Sequence, residues 1–266
     1  MIKVIPQMPY YKQITTSRNT CITFASTHFA AQSNQQKDSY QQKTQSQNQS
    51  TDNTLNKKVA FPLITNPIKF PWIKDKKLIN AVNKLNKLEF DKDDVKHVQS
   101  LGAVLPFFSG KEAVKFIEDS HIEVKFAPMP SENTHAQYDF KDNCIKINEL
   151  YRNTQNPAEI LAISEAILHE VGHAKDQDGE SSLQEEMDCL AMNALAHRTF
   201  SKNYPGIFAN SNSLIVNDGV AIYSDLFFDP NPSNSALIKR LNIKYGHLPV
   251  GDFKHPPSNV ALQSKN

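Results

Sequence analysis

The segment His169-Glu170-Val171-Gly172-His173 sets two imidazoles four residues apart, with a carboxylate directly after the first. On a helix the two histidines project from one face about one turn apart, so both can reach a single metal ion. Zinc accepts imidazole nitrogen at about 2.0–2.1 Å. Glu170 is offset by about 100° around the helix, so it can reach a water on the metal without being forced to ligate it. Zinc brings the pKa of such a water to about 7, and a carboxylate there can take the proton. The hydroxide produced attacks a polarised carbonyl. This pattern therefore predicts a zinc pair, His169 and His173, with Glu170 as catalytic base.

The chemistry requires a helix, and the flanking residues predict one. Asn156 is a natural N-cap, Pro157 suits the first helical position, and the pattern continues to about Lys175. Ala162, Ala166, His169 and His173 form one stripe, with small residues beneath the histidines. Ile160, Ile163, Ile167, Val171 and Ala174 form a core stripe. Asp176 to Gly179 break the helix. Ser182 with Glu185 reads as a capping box opening a second helix to about Thr199. Upstream, alternation of period two at Ile122–Phe126, Gln137–Phe140 and Cys144–Ile147 predicts short strands. The last two are joined by a turn at Lys141-Asp142-Asn143, and a small antiparallel sheet is expected. Earlier still, helices are expected over residues 73–88, over 91–101 and after Gly110. Beyond Tyr204 the pattern is loose until a helix from about Ser233 to Tyr245, and His255-Pro256-Pro257 cannot be helical.

The run Ala166-Ile167-Leu168-His169-Glu170-Val171-Gly172-His173-Ala174-Lys175 resembles the extended signature of the zincin metallopeptidases. The similarity spans about residues 120–200 and includes the order strand, hairpin, motif helix, second helix. It implies an α+β, zincin-like fold in which the sheet packs on the HExxH helix and a second helix carries a further ligand. It also implies one Zn²⁺ per chain, a peptide or protein substrate, and hydrolysis of peptide bonds. A metzincin pattern would need Gly at position 176 and His at 179, where this chain has Asp176 and Gly179. A gluzincin-like arrangement takes its third ligand from a glutamate on the next helix, and Glu185 and Glu186 are both available. Glu185 occupies the capping-box position, where its carboxylate would serve the helix's own amide. Glu186 flanks the apolar stripe of Leu183, Met187, Leu190 and Ala194, so it is the favoured ligand, with Glu185 as the alternative. Asp188 follows these glutamates by two or three residues, closer than the aspartate that orients a histidine in many gluzincins. Asp176 and Asp178 are kept as alternative ligands or histidine partners. Tyr223, His247 and His255 are candidates for stabilising the oxyanion. His197 is expected to be an outer or surface residue.

Composition bounds the rest. The formal net charge of +1 and pI of about 7.7 give no reason to expect a nucleic-acid partner. No apolar run is long enough for a membrane span. Cys21, Cys144 and Cys189 show neither CxxC spacing nor a disulfide pattern, and Cys144 and Cys189 read as small buried hydrophobes. Between Gln32 and Asn56 the chain is almost wholly Gln, Ser, Asn, Thr, Asp and Lys. With a mean hydropathy of −0.50 for the whole chain, residues 1–56 are read as a disordered, low-complexity tail. Residues 57–257 are the folded domain and 258–266 a C-terminal tail. The run from Cys21 to Ala31 is too polar for a Sec signal core, which leaves cytoplasmic retention or another secretion route. Richness in Asn, Lys, Ile and Gln is what an AT-rich bacterial genome produces. Two further readings stand beside the peptidase: a catalytically inactive zinc-binding scaffold, and a secreted bacterial effector whose tail carries delivery information. Oligomeric state is not encoded in these features.

Overall fold

The computed structural model describes residues 24–25, 70–176, 179–209, 211–229, 234–252 and 255–257. The expectations for residues 1–56 (other than Phe24–Ala25), for 57–69, for Asp178 and for 258–266 lie outside these residues. What is described is an α+β arrangement of seven α-helices and a small mixed sheet.

Local chemistry defines the helix starts. In α1 (Lys76–Leu85) the Asp75 carboxylate accepts from the Lys77 amide at 2.8 Å. The helix turns Leu78, Ala81, Val82 and Leu85 inward. Asp91 caps α2 (Lys92–Ser100), and Ser109 caps α3 (Gly110–Asp119). Gly110 is needed at that start, because a Cβ there would lie 1.9 Å from the Leu85 carbonyl oxygen.

The strands are β2 (Glu123–Ala127), β3 (Thr134–Asp139) and β4 (Cys144–Asn148), with the two-residue β1 (Phe24–Ala25) at one edge. Their order is β1-β3-β4-β2. β3 and β4 form the expected antiparallel hairpin, with Tyr138 opposite Ile145. Its turn is held by Asp139, whose carboxylate accepts from the amides of Lys141 and Asp142, and Asn143 takes a positive φ of 46°. The wholly antiparallel sheet expected from the sequence is not what forms. β4 lies between β3 and β2 and pairs with β2 in parallel, Val124 opposite Ile145. Alternation within a strand reports which face is buried, but not which neighbour it pairs with or in which direction. On the outer edge of β3, β1 pairs antiparallel with Phe24 opposite Ala136.

Two long helices cross the molecule beside this sheet. α4 (Pro157–Asp176) starts where Asn156 accepts from the Ala158 amide at 3.0 Å, and most of its residues are buried. It packs against α1, α3, α5 and β3, which makes it the central element. α5 (Leu183–Asn203) starts at Ser182, whose hydroxyl accepts from the Glu185 amide. The two run antiparallel, since His173 near the end of α4 meets Glu185 while Glu165 earlier on α4 meets His197 further along α5. Gly172 lets them approach closely: a Cβ there would sit 2.5 Å from Cys189 Sγ. Cys144 and Cys189 are free and buried, as expected.

The loose stretch after Tyr204 contains a π-helical turn, Ile215–Ala221, running into α6 (Ile222–Phe227). Gly219 beside Asn217 and Asp218 gives this stretch the composition of a turn, which masked it in the sequence. α7 (Asn234–Tyr245) packs on α5 and α6. The segment after α7 folds back, where the carbonyls of Pro249 and Val250 accept from the amides of Leu183 and Gln184 and so satisfy the first turn of α5.

Candidate metal centre

α4 brings His169 and His173 together as one turn of helix demands. Their rings lie 4.8 Å apart at 73°, and the two Nε2 atoms converge to 3.1 Å. From α5, the Glu186 carboxylate comes to 3.6 Å from His169 Nε2 and 3.8 Å from His173 Nε2. Ligand atoms of the three lie within 4.8 Å of one another, and all three residues are buried. Two imidazole nitrogens and a carboxylate oxygen are a donor set suited to zinc. Bond lengths of about 2.0–2.1 Å in a tetrahedral site put ligand atoms roughly 3.3–3.4 Å apart, so these spacings fit one ion. Burial pushes the His169 ring down to a pKa of about 4, which keeps it neutral and available as a ligand.

Glu185 does not use its carboxylate on its own helix, as the capping-box reading expected. Its Oε1 lies 2.6 Å from His173 Nδ1. A carboxylate only accepts, so in the neutral ring Nδ1 carries the proton and Nε2 turns its lone pair toward His169 and Glu186. The adjacent glutamates thus divide: Glu186 joins the cluster and Glu185 orients one of its histidines. Cys189 Sγ is 3.9 Å from the same Nδ1, but burial pushes its thiol up to about 12 and keeps it protonated.

Glu170 is fully buried and faces β3. Its Oε2 accepts from the Tyr138 amide at 2.7 Å, whereas Oε1 is buried with no hydrogen-bond partner. Burial raises its pKa to about 8, within the range where a carboxyl can both take and return a proton near neutrality.

The other candidates separate. Tyr223 is fully buried, and the charge of Glu186 acts on its phenol. Asp176, Asp188 and His255 join one another instead of the cluster. His255 Nε2 is 3.4 Å from Asp176, and its Nδ1 is 3.4 Å from Asp188. Asp188 also accepts from the Val104 amide and the Gln184 side chain. That arrangement pins the C-terminal segment to both long helices. His247 is exposed and plays no part. His197 is buried, not superficial: it lies 3.3 Å from Glu165 and stacks on Phe208 at 4.3 Å.

Three residues were missed from the sequence. Lys244 and Tyr245, at the end of α7, both feel the charge of Glu186. Lys244 Nζ lies 4.9 Å from the Tyr245 ring centre and 5.5 Å from that of Tyr223. His135, fully buried on β3, bonds the Tyr151 hydroxyl at 2.7 Å, and burial together with the charge of Lys244 lowers its pKa to about 4. A signal for Lys244 did exist. Leu237, Leu241 and Tyr245 mark the buried stripe of α7, and Lys244 falls three residues after Leu241 on that side.

Compared with known protein families, curated proteins and solved structures, the chain matches none of them. Among the described residues no helix is long and apolar enough to cross a membrane.

Proposed function

We propose that the chain is a zinc-dependent peptidase of zincin type, with His169, His173 and Glu186 as ligands and Glu170 as the base. The observation that carries this reading is the meeting of two imidazole nitrogens and a carboxylate beside a second carboxylate with one open oxygen. Zinc held there would supply Lewis acidity, polarising a carbonyl and acidifying water. The remaining work falls to the chain's own groups. Tyr138 fixes the Glu170 carboxylate through Oε2, so Oε1 is the oxygen that takes a proton from attacking water. The same oxygen returns that proton to the amine as the C–N bond breaks. Glu185 holds the His173 ring in position.

The test is purification followed by elemental analysis and a peptide-hydrolysis assay. One zinc per chain is expected, with activity that is lost on chelation and restored by added zinc. Protein without stoichiometric zinc, in which His169→Ala changes nothing, would sink the reading.

The burial of all three cluster residues supports a second reading, a zinc-binding scaffold without catalysis. Glu170→Gln separates the two. Loss of hydrolysis with zinc retained belongs to the enzyme, whereas behaviour unchanged in every assay belongs to the scaffold.

A further inference from the structure

Glu170 and β1 share one edge of β3. A backbone N–H points to one side of its strand, so the Tyr138 amide, taken by Glu170 at 2.7 Å, points away from the neighbouring strand β4. Amides two residues apart on a strand point the same way, which aims that of Ala136 at the same edge. There the edge is occupied: Phe24 of β1 pairs with Ala136 and Ala25 with Thr134, antiparallel. Read toward the N-terminus, β1 therefore runs along β3 from Thr134 toward Tyr138 and the Glu170 carboxylate.

The hold of β1 on this edge is slight. It has two residues, and its register shifts between them. So short a pairing gives up only a few backbone hydrogen bonds when it opens, each of small net worth in water. Attachment compensates for this weakness. Residues 26–69 join β1 to the rest of the domain, and a tethered strand meets its own edge at an effective concentration on the order of millimolar. The same edge offers an extended peptide a row of backbone amides and carbonyls, which is what recognition by strand addition requires. A peptide laid there passes beside Glu170, where a peptidase needs its scissile bond.

Resting on the peptidase reading above, we propose that the segment around Phe24–Ala25 is a tethered competitor of the substrate. It holds the β3 edge along which an extended peptide is presented to Glu170, and the substrate must displace it. The chain thereby limits its own activity until a better-matched strand takes the edge.

Full-length protein is compared with its Phe24→Pro and Ala25→Pro variants, because proline has no amide for the pairing and both positions lie outside the metal cluster. Either variant suffices if the other misfolds. The first readout needs no turnover: binding of a labelled peptide of residues 18–31 carrying Cys21→Ser. The variants are expected to bind it at least about tenfold more tightly than wild type, whose own segment competes. The second is hydrolysis of an unstructured peptide, for which apparent KM should fall at least about fivefold in the variants. Their kcat and zinc content should stay at wild-type values. Labelled peptide bound equally by wild type and variants, or by neither, overturns the proposal. So does an unchanged KM in variants that hydrolyse, because β1 would then only close the sheet. A fall in kcat or zinc content also overturns it, because the segment would then act through the cluster. Tighter peptide binding by the variants with hydrolysis absent from every form removes the peptidase reading and, with it, the competition for substrate.

Discussion

The Tyr138 amide on β3 donates to Glu170 Oε2 at 2.7 Å, which ties the proposed base on the motif helix to the sheet beside it. An isolated HExxH helix would leave that carboxylate free to rotate. Here one oxygen is committed and the other, Oε1, is left open. Replacing Glu170 with Gln keeps an acceptor for Tyr138 and removes the proton-carrying oxygen. Hydrolysis is expected to fall by about 10²–10⁴-fold while zinc content stays at one per chain. Parallel assays of turnover and metal content check this, and equal loss of both would show that Glu170 acts on binding.

Glu185 and Glu186 differ by one position and by role. Glu186→Ala is expected to bring zinc below stoichiometry. Glu185→Gln should leave the site occupiable but weaken zinc by about 10–100-fold, the range for a group that orients a histidine ligand. Competition against a chelator of known affinity reads both. Equal losses in the two variants would refute this division.

Gly172 sets the spacing between α4 and α5. An added methyl would meet Cys189 Sγ at 2.5 Å and Met192 Cε at 2.9 Å. Gly172→Ala should cost about 1–3 kcal/mol in denaturant unfolding, typical of overpacking, and should weaken zinc because ligands lie on both helices. Adding Cys189→Ala in the same chain should recover part of the loss.

His255 is held between Asp188 and Asp176, and its pKa is raised from 6.5 to about 9, chiefly through its bond to Asp188. A histidine whose pKa is raised on folding contributes stability that is fully present below the unfolded value and disappears as pH climbs through the folded one. The C-terminal segment should therefore stay docked at pH 6 and loosen between about pH 6.5 and 9. Hydrogen exchange at the Leu183 and Gln184 amides, which that segment caps, follows the release. In His255→Asn the exchange should lack this pH step.

Much of the site could be read from sequence because its geometry is local. His169, Glu170 and His173 share one turn of α4, so helical spacing alone sets their relation. The choice between Glu185 and Glu186 was harder, because both caps and metals attract carboxylates. The apolar stripe of α5 pointed to Glu186, but the bond of Glu185 to His173 depends on how two helices pack. Lys244 and Tyr245 enter from a helix far along the chain, and nothing near them in sequence refers to the motif. The parallel pairing of β2 with β4 was hidden for the same reason. Asp176, Asp188 and His255 had the right chemical types for the site, yet the fold gathered them at the docking point of the C-terminal segment.

The antiparallel seam between α4 and α5 contains, within a buried interface, two imidazoles whose Nε2 atoms meet at 3.1 Å and a carboxylate beside them. Groups buried this close are held together only by a proton or an ion that they share. The packing of the two helices is therefore tied to what those three groups hold. An ion there would act as a keystone as much as a reagent, so that loading and the final tightening of the two helices become a single event.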